Sequence, residues 1–136
     1  MATEDQFYHH LGKVWIAGGG GGASGTAIAA DGTTVTIKSA AIAVATLGAN
    51  TLVAAVVGKK IRVLAFSLSS GGVVSAKFTS GASPDLTGLF YLPAVGSSVN
   101  QPMSSGGLFE TASGALLGLN LSANIAVGGF VSYIEV

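Results

Sequence analysis

Apolar and polar residues alternate with period two over much of this chain, starting at residue 33. Thr33-Thr34-Val35-Thr36-Ile37-Lys38 is rich in β-branched residues and predicts a strand. Residues 40–45 are mostly alanine and read as either a short helix or a strand. Residues 51–57 predict an apolar strand that ends at Gly58. Residues 60–68 open as charged/apolar alternation, and Ser69-Ser70-Gly71-Gly72 signals a turn. Residues 73–80 and 86–92 predict two more strands around the loop Gly81-Ala82-Ser83-Pro84-Asp85. Pro93 and Pro102 bracket a polar stretch suited to an edge strand. Residues 108–110, 116–121 and 129–136 complete the set, the last expected to pair within a sheet. These make about eight strands at roughly ten-residue spacing with no long amphipathic helix. The expected fold is all-β, a jelly-roll-like antiparallel β-sandwich of about eight strands with an extended N-terminal arm. Phe66, Phe78, Phe90, Tyr91, Phe109, Phe130 and Tyr133 fall mostly within the strand candidates and are expected in the core.

The first part of the chain has a different texture. Gly18, Gly19, Gly20, Gly21 and Gly22 form an unbroken run that Ala23-Ser24-Gly25 extends, the composition of a linker or hinge. The seventeen residues before it are too few for a core, yet Phe7, Tyr8, Leu11, Val14, Trp15 and Ile16 require burial. The segment reads as an arm that docks on a neighbour; the alternative is that it folds back on its own domain. The expected organisation is an arm and hinge over 1–32 and a β-sandwich over 33–136. Phe7, Tyr8, Leu11, Val14 and Trp15 are the expected partner-binding residues.

Composition narrows the function. The chain has 136 residues, a single-domain length sufficient for one hydrophobic core. Charged residues are only 9%, and six basic and six acidic side chains cancel. That balance argues against binding to nucleic acid or to an anionic membrane. The absence of cysteine excludes disulfides and thiolate chemistry. No apolar run approaches the length of a membrane span, and the acidic start does not resemble a signal peptide. Gly, Ala, Ser and Thr make up about half the chain. A near-neutral chain with so few charges is prone to associate, so part of its surface is expected to be covered by other copies or partners.

Candidate chemistry is sparse. Gly20, Gly22 and Gly25 match G-x-G-x-x-G, but no helix opens there and residues 40–47 contain no Asp or Glu. Gly58-Lys59-Lys60 lacks both the earlier glycine and the following hydroxyl of a phosphate loop. Lys59, Lys60 and Arg62 read as a charged turn and strand edge that discourages edge pairing, or as a small-anion or partner contact. His9 and His10 are adjacent and would point apart, and no other histidine is present. Nothing in the spacing of Asp31, Asp85, Glu110 and Glu135 pairs two carboxylates. A serine nucleophile in the β domain would have to borrow its histidine from the arm. No enzymatic activity, metal or cofactor is expected.

The order Thr-Leu-Val-Ala-Ala-Val-Val-Gly-Lys-Lys-Ile-Arg-Val-Leu-Ala-Phe-Ser-Leu, Val-Ser-Ala-Lys-Phe-Thr-Ser-Gly, Asp-Leu-Thr-Gly-Leu-Phe-Tyr-Leu and Gly-Leu-Phe-Glu-Thr-Ala-Ser-Gly, closing on residues 119–136, resembles a group of small virion proteins of tailed bacteriophages. The resemblance covers about residues 33–136. It implies a particle component with a β-sandwich body, most like a capsid cement or decoration protein. The implied partners are the major capsid protein and the chain itself, as a trimer or a dimer. The implied location is the outer capsid surface, after synthesis in the host cytoplasm. Similar modules occur in tail, neck and fibre proteins, which keeps an adhesion or connector role open. No site residue is carried across.

Overall fold

The computed structural model describes residues 25–28 and 32–136. Ten strands follow in order: β1 (Gly25–Ile28), β2 (Thr34–Val44), β3 (Gly48–Val53), β4 (Ile61–Ser70), β5 (Val74–Ser80), β6 (Phe90–Leu92), β7 (Ser98–Gln101), β8 (Phe109–Glu110), β9 (Leu117–Leu121) and β10 (Val127–Glu135). They form a six-stranded sheet, β1-β2-β10-β4-β7 with β8 also on β4, and a four-stranded sheet, β3-β9-β5-β6. Every pairing is antiparallel.

The topology reduces to one fold-back. With β1 and β8 set aside, eight of the ten strands remain. Each pairs with its mirror image about the β5–β6 connection: β5 with β6, β4 with β7, β3 with β9, β2 with β10. The nested ribbon then rolls, which brings β10 beside β4 and β9 beside β5. This is the jelly-roll arrangement, and the all-β sandwich expected from the period-two pattern is the fold.

Local differences have local causes. Residues 40–45 do not form a helix. Ala40, Ile42 and Val44 alternate inward, with Ile42 buried, so β2 continues as one strand of eleven residues. β3 stops at Val53 because its partner β9 begins at Leu117, which is paired with Val53. Residues 54–57 therefore have no ladder to join, and Val57 is 97% exposed. β6 is three residues long, paired with residues 74–76, because opposite the rest of β5 the Phe78 amide donates to the Thr87 hydroxyl in place of a backbone ladder partner. Upstream of β6, Asp85 bridges Thr79, and the Leu86 amide donates to the Phe78 carbonyl. Gly25–Ile28, within the expected hinge segment, pairs with β2 and adds an edge strand.

The core lies between the sheets. Its centre is a phenylalanine cluster with Phe66 and Phe109 from one sheet and Phe78 and Phe90 from the other. The Phe66–Phe78 and Phe78–Phe109 ring centroids are 4.9 and 5.0 Å apart. Phe66, Phe78 and Tyr133 are buried, and Phe90 and Phe109 pack partly buried against the core. Two aromatics are not core. Tyr91 and Phe130 are 74% and 47% exposed. Each occupies the outward phase of its strand, between Phe90 and buried Leu92, and between Gly129 and buried Val131.

Candidate functional site

Charge is unevenly distributed along the long axis of the sandwich. β4 runs from Ile61 at one end, paired with Glu135, to Ser70 at the other, paired with Val127. The charged side chains sit toward the Ile61 end. Lys38 bonds Glu135 at 2.8 Å, Arg62 and Lys60 share Glu110, and Lys77 reaches back to Asp85 at 2.9 Å. Residues 39–58, 63–76, 86–109 and 111–134 contain no Asp, Glu, Lys or Arg.

Among the described residues, the opposite end is therefore free of charge. It is built from four loops, residues 45–47, 71–73, 93–97 and 122–126. They are stitched together by hydrogen bonds. The Leu47 amide donates to Asn124 Oδ1 at 2.8 Å, and the Gly71 amide to the Ala126 carbonyl at 2.7 Å. Ser70 and the 94–97 loop exchange three bonds. The Ser70 amide donates to the Ser97 carbonyl, the Gly96 amide to the Ser70 carbonyl, and Ser70 Oγ to the Ala94 carbonyl. Gly72 packs so closely on Ile125 that an added β-carbon would lie 3.3 Å from its side chain. On this platform Leu47, Val73 and Val95 stand out, at 56%, 71% and 77% exposure. Apolar tips held by a satisfied backbone framework, with no charge to desolvate, suit burial against another protein.

Among the described residues, the outer face of the six-stranded sheet is also uncharged around Phe130. Phe130 lies in register with Ala41 on one side and Ser67 on the other, and Ser67 with Asn100. The Ser67 hydroxyl donates to Asn100 Oδ1. This face presents small side chains around one half-exposed ring.

At the charged end a cleft of about 290 Å³ is lined by Arg62, Gly106, Gly107, Leu108, Phe109 and Glu110. Arg62 Nε donates to Glu110 Oε2 at 2.9 Å and Lys60 Nζ to Oε1 at 3.3 Å. The bond from Arg62 holds the Glu110 carboxyl below its ordinary value of 4.5, against a smaller opposing effect of burial. The bond to Glu135 raises Lys38 above 10.5. Arg62 is not at a strand edge, because β10 and β8 flank it on both sides. Its stem packs against Gly107, whose φ of +86° and missing side chain allow the approach.

The arm residues Phe7, Tyr8, Leu11, Val14 and Trp15, the hinge glycines Gly18, Gly19, Gly20, Gly21 and Gly22, and His9 and His10 lie outside the described residues. Among the described residues no group of three or more metal-ligating side chains gathers. Sequence reading missed Leu47, Val73 and Val95. The long charge-free stretches were visible, but only the roll of the ribbon brings those three loops to one end. Compared with known proteins, the chain matches no family model, no curated protein and no solved structure.

Proposed function

We propose that this chain is a capsid cement protein of a tailed bacteriophage, which binds the outside of the assembled shell and bridges neighbouring major capsid subunits. The observation that carries this reading is the charge-free end, where Leu47, Val73 and Val95 project from four interlocked loops. Such an end gains by burial and needs no chemistry. The resemblance of residues 33–136 to small virion proteins supplies the setting. The body docks by this end at a junction between subunits, as a trimer or dimer, and the arm with Phe7, Tyr8, Leu11, Val14 and Trp15 reaches across a neighbour. A protein that binds only the assembled shell stabilises it by mass action, and many weak sites repeated over the surface add together.

A second reading is a tail, neck or fibre-tip module that recognises a host surface. Tyr91 favours it, since a three-quarters exposed tyrosine two residues before the 93–97 loop suits stacking on a sugar ring. Immunogold labelling of intact particles with an antibody against residues 33–136 separates the two. Gold spread over the head is the result expected for a cement protein. Gold confined to the tail or its tip would overturn that reading in favour of the adhesion module. Absence of label, with the epitope accessible, would remove the protein from the virion surface.

A further inference from the structure

β3 is an outer strand of the four-stranded sheet, with β9 on one side and, among the described residues, no strand on the other. It differs from the other outer strands in length and chemistry. β1 and β7 have four residues each, β6 three and β8 two. Prolines follow β6 and β7 directly, at Pro93 and Pro102. β3 has six residues, Gly48–Val53, and residues 39–58 around it contain no charge and no proline. Such an edge carries none of the devices that keep strands from pairing with other chains.

The hydrogen bonds fix which backbone groups of β3 point outward. Phe78 of β5 turns away from β9, because its amide donates to the Thr87 hydroxyl and its carbonyl accepts from the Leu86 amide. Ser75 faces β9, since its carbonyl accepts from the Ser122 amide, and the alternation from Ser75 to Phe78 agrees. Leu119 is in register with Phe78, so its backbone groups turn to the other side, toward Asn50 of β3. Asn50 therefore directs its amide and carbonyl at β9, and Ala49 and Thr51 direct theirs outward. Both residues are exposed, and among the described residues no group bonds these outward amides and carbonyls. The spacing is its own complement. With a second copy laid antiparallel and the two-fold axis at Asn50, Ala49 falls opposite Thr51 of the other copy and Thr51 opposite its Ala49. Each pair can exchange both of its N–H···O bonds. The side chains there are small, and with residues 39–58 uncharged no like charges meet across the axis.

We propose that the free protein forms a two-fold dimer in which β3 pairs antiparallel with β3 of a second copy, joining the two four-stranded sheets into one. β3 runs from Leu47 at the charge-free end toward the charged end, so the pairing points the two charge-free ends in opposite directions. Only one copy of such a dimer can set that end on a surface. The dimer is thus an association of the free protein, distinct from any that sits on a shell, and it parts when the body docks. It covers the unprotected edge until then.

Sedimentation velocity and residue-resolved amide exchange of the full-length chain, between about 5 µM and about 500 µM, test this. The expected result is a monomer–dimer equilibrium. Exchange at the Ala49 and Thr51 amides should slow at least about fivefold over that range, while the Asn50 amide, bonded to β9, stays protected throughout. The register is tested by charge. A49K/T51K sets lysine opposite lysine in both pairs and should weaken the dimer at least about tenfold. A49K/T51E sets lysine opposite glutamate and should restore it. Both positions are exposed, so neither variant disturbs the core. A monomer at every concentration, a trimer, or a dimer that leaves Ala49 and Thr51 unprotected would overturn the proposal. So would protection of those amides that is the same at every concentration, which would assign the edge to a cover within one chain. A dimer indifferent to A49K/T51K, or not restored by A49K/T51E, would overturn it as well. These measurements concern the protein without particles, so the dimer and the cement reading fail separately.

Discussion

Gly129 of β10 passes so close to Ser67 of β4 that a β-carbon added at Gly129 would overlap the Ser67 carbonyl oxygen. Its φ of +141° is also one that side chains disfavour. The neighbouring residue Phe130 is itself in register with Ser67, so the approach fixes where the exposed ring emerges on the outer face. Gly129→Ala meets both obstacles at once. The expected loss is about 2–4 kcal/mol in urea or thermal unfolding. An alanine variant as stable as the parent would show that β10 and β4 separate there at little cost.

Phe78 is the contact through which the two sheets share one core. It is fully buried on β5, with Phe66, Phe90 and Phe109 around it. Phe78→Ala removes ring contacts to both sheets and leaves a cavity that neighbouring backbone cannot fill. A loss of about 3–5 kcal/mol is expected. Phe90→Ala, at a partly buried edge position, should cost less. Equal losses in chemical denaturation would place the centre of the core elsewhere.

These two positions differ in how legible they were. Phe78 falls in a run, residues 73–80, where apolar residues take alternate positions, and the pattern alone assigns it to the core. At Tyr91 and Phe130 aromatic character alone misleads, and phase within the strand decides. Leu92 and Val131 hold the inward phase and turn their neighbours out. Strand ends were hidden for another reason. β3 stops where its partner β9 stops, and a partner's length is a property of the roll, not of the local sequence. The site was the least legible part. Leu47, Val73 and Val95 are ordinary loop residues until the fold-back brings residues 45–47, 71–73 and 93–97 to one end.

The charged end carries a pH signature. Arg62 holds the Glu110 carboxyl below its unfolded value, so this interaction contributes stability above about pH 4.5 that is lost as pH falls through the folded value. Glu110 is a third exposed, which screens the pair, so the contribution is about 1 kcal/mol or less. Glu110→Gln should therefore lower stability at neutral pH and flatten the acid limb of the stability profile. An acid limb of unchanged slope in the variant would assign it to other carboxylates. Lys38 has the opposite sign. Its raised value makes the Glu135 pair a contribution present below 10.5 and lost as pH rises through the folded value, a limb that Lys38→Met should remove.

The charge-free end is tested by placing a charge on it. Val95 is 77% exposed in the 93–97 loop, and its side chain is not part of the inter-sheet core. Val95→Asp should leave unfolding within about 0.5 kcal/mol of the parent, as expected of a surface change. If the end is buried on a capsid surface, the same substitution puts an unpaired carboxylate into the contact. That costs several kcal/mol unless the partner offers a cation, so co-sedimentation with shells lacking the protein should weaken at least about tenfold. Val73→Asp should act alike, because Val73 stands on the adjacent loop joined through Ser70. Val57→Asp is the control. Val57 is 97% exposed in the 54–60 loop toward the charged end, so a charge there should leave shell binding intact. Weakening by Val57→Asp and not by Val95→Asp would turn the molecule around, with the charged end facing the shell.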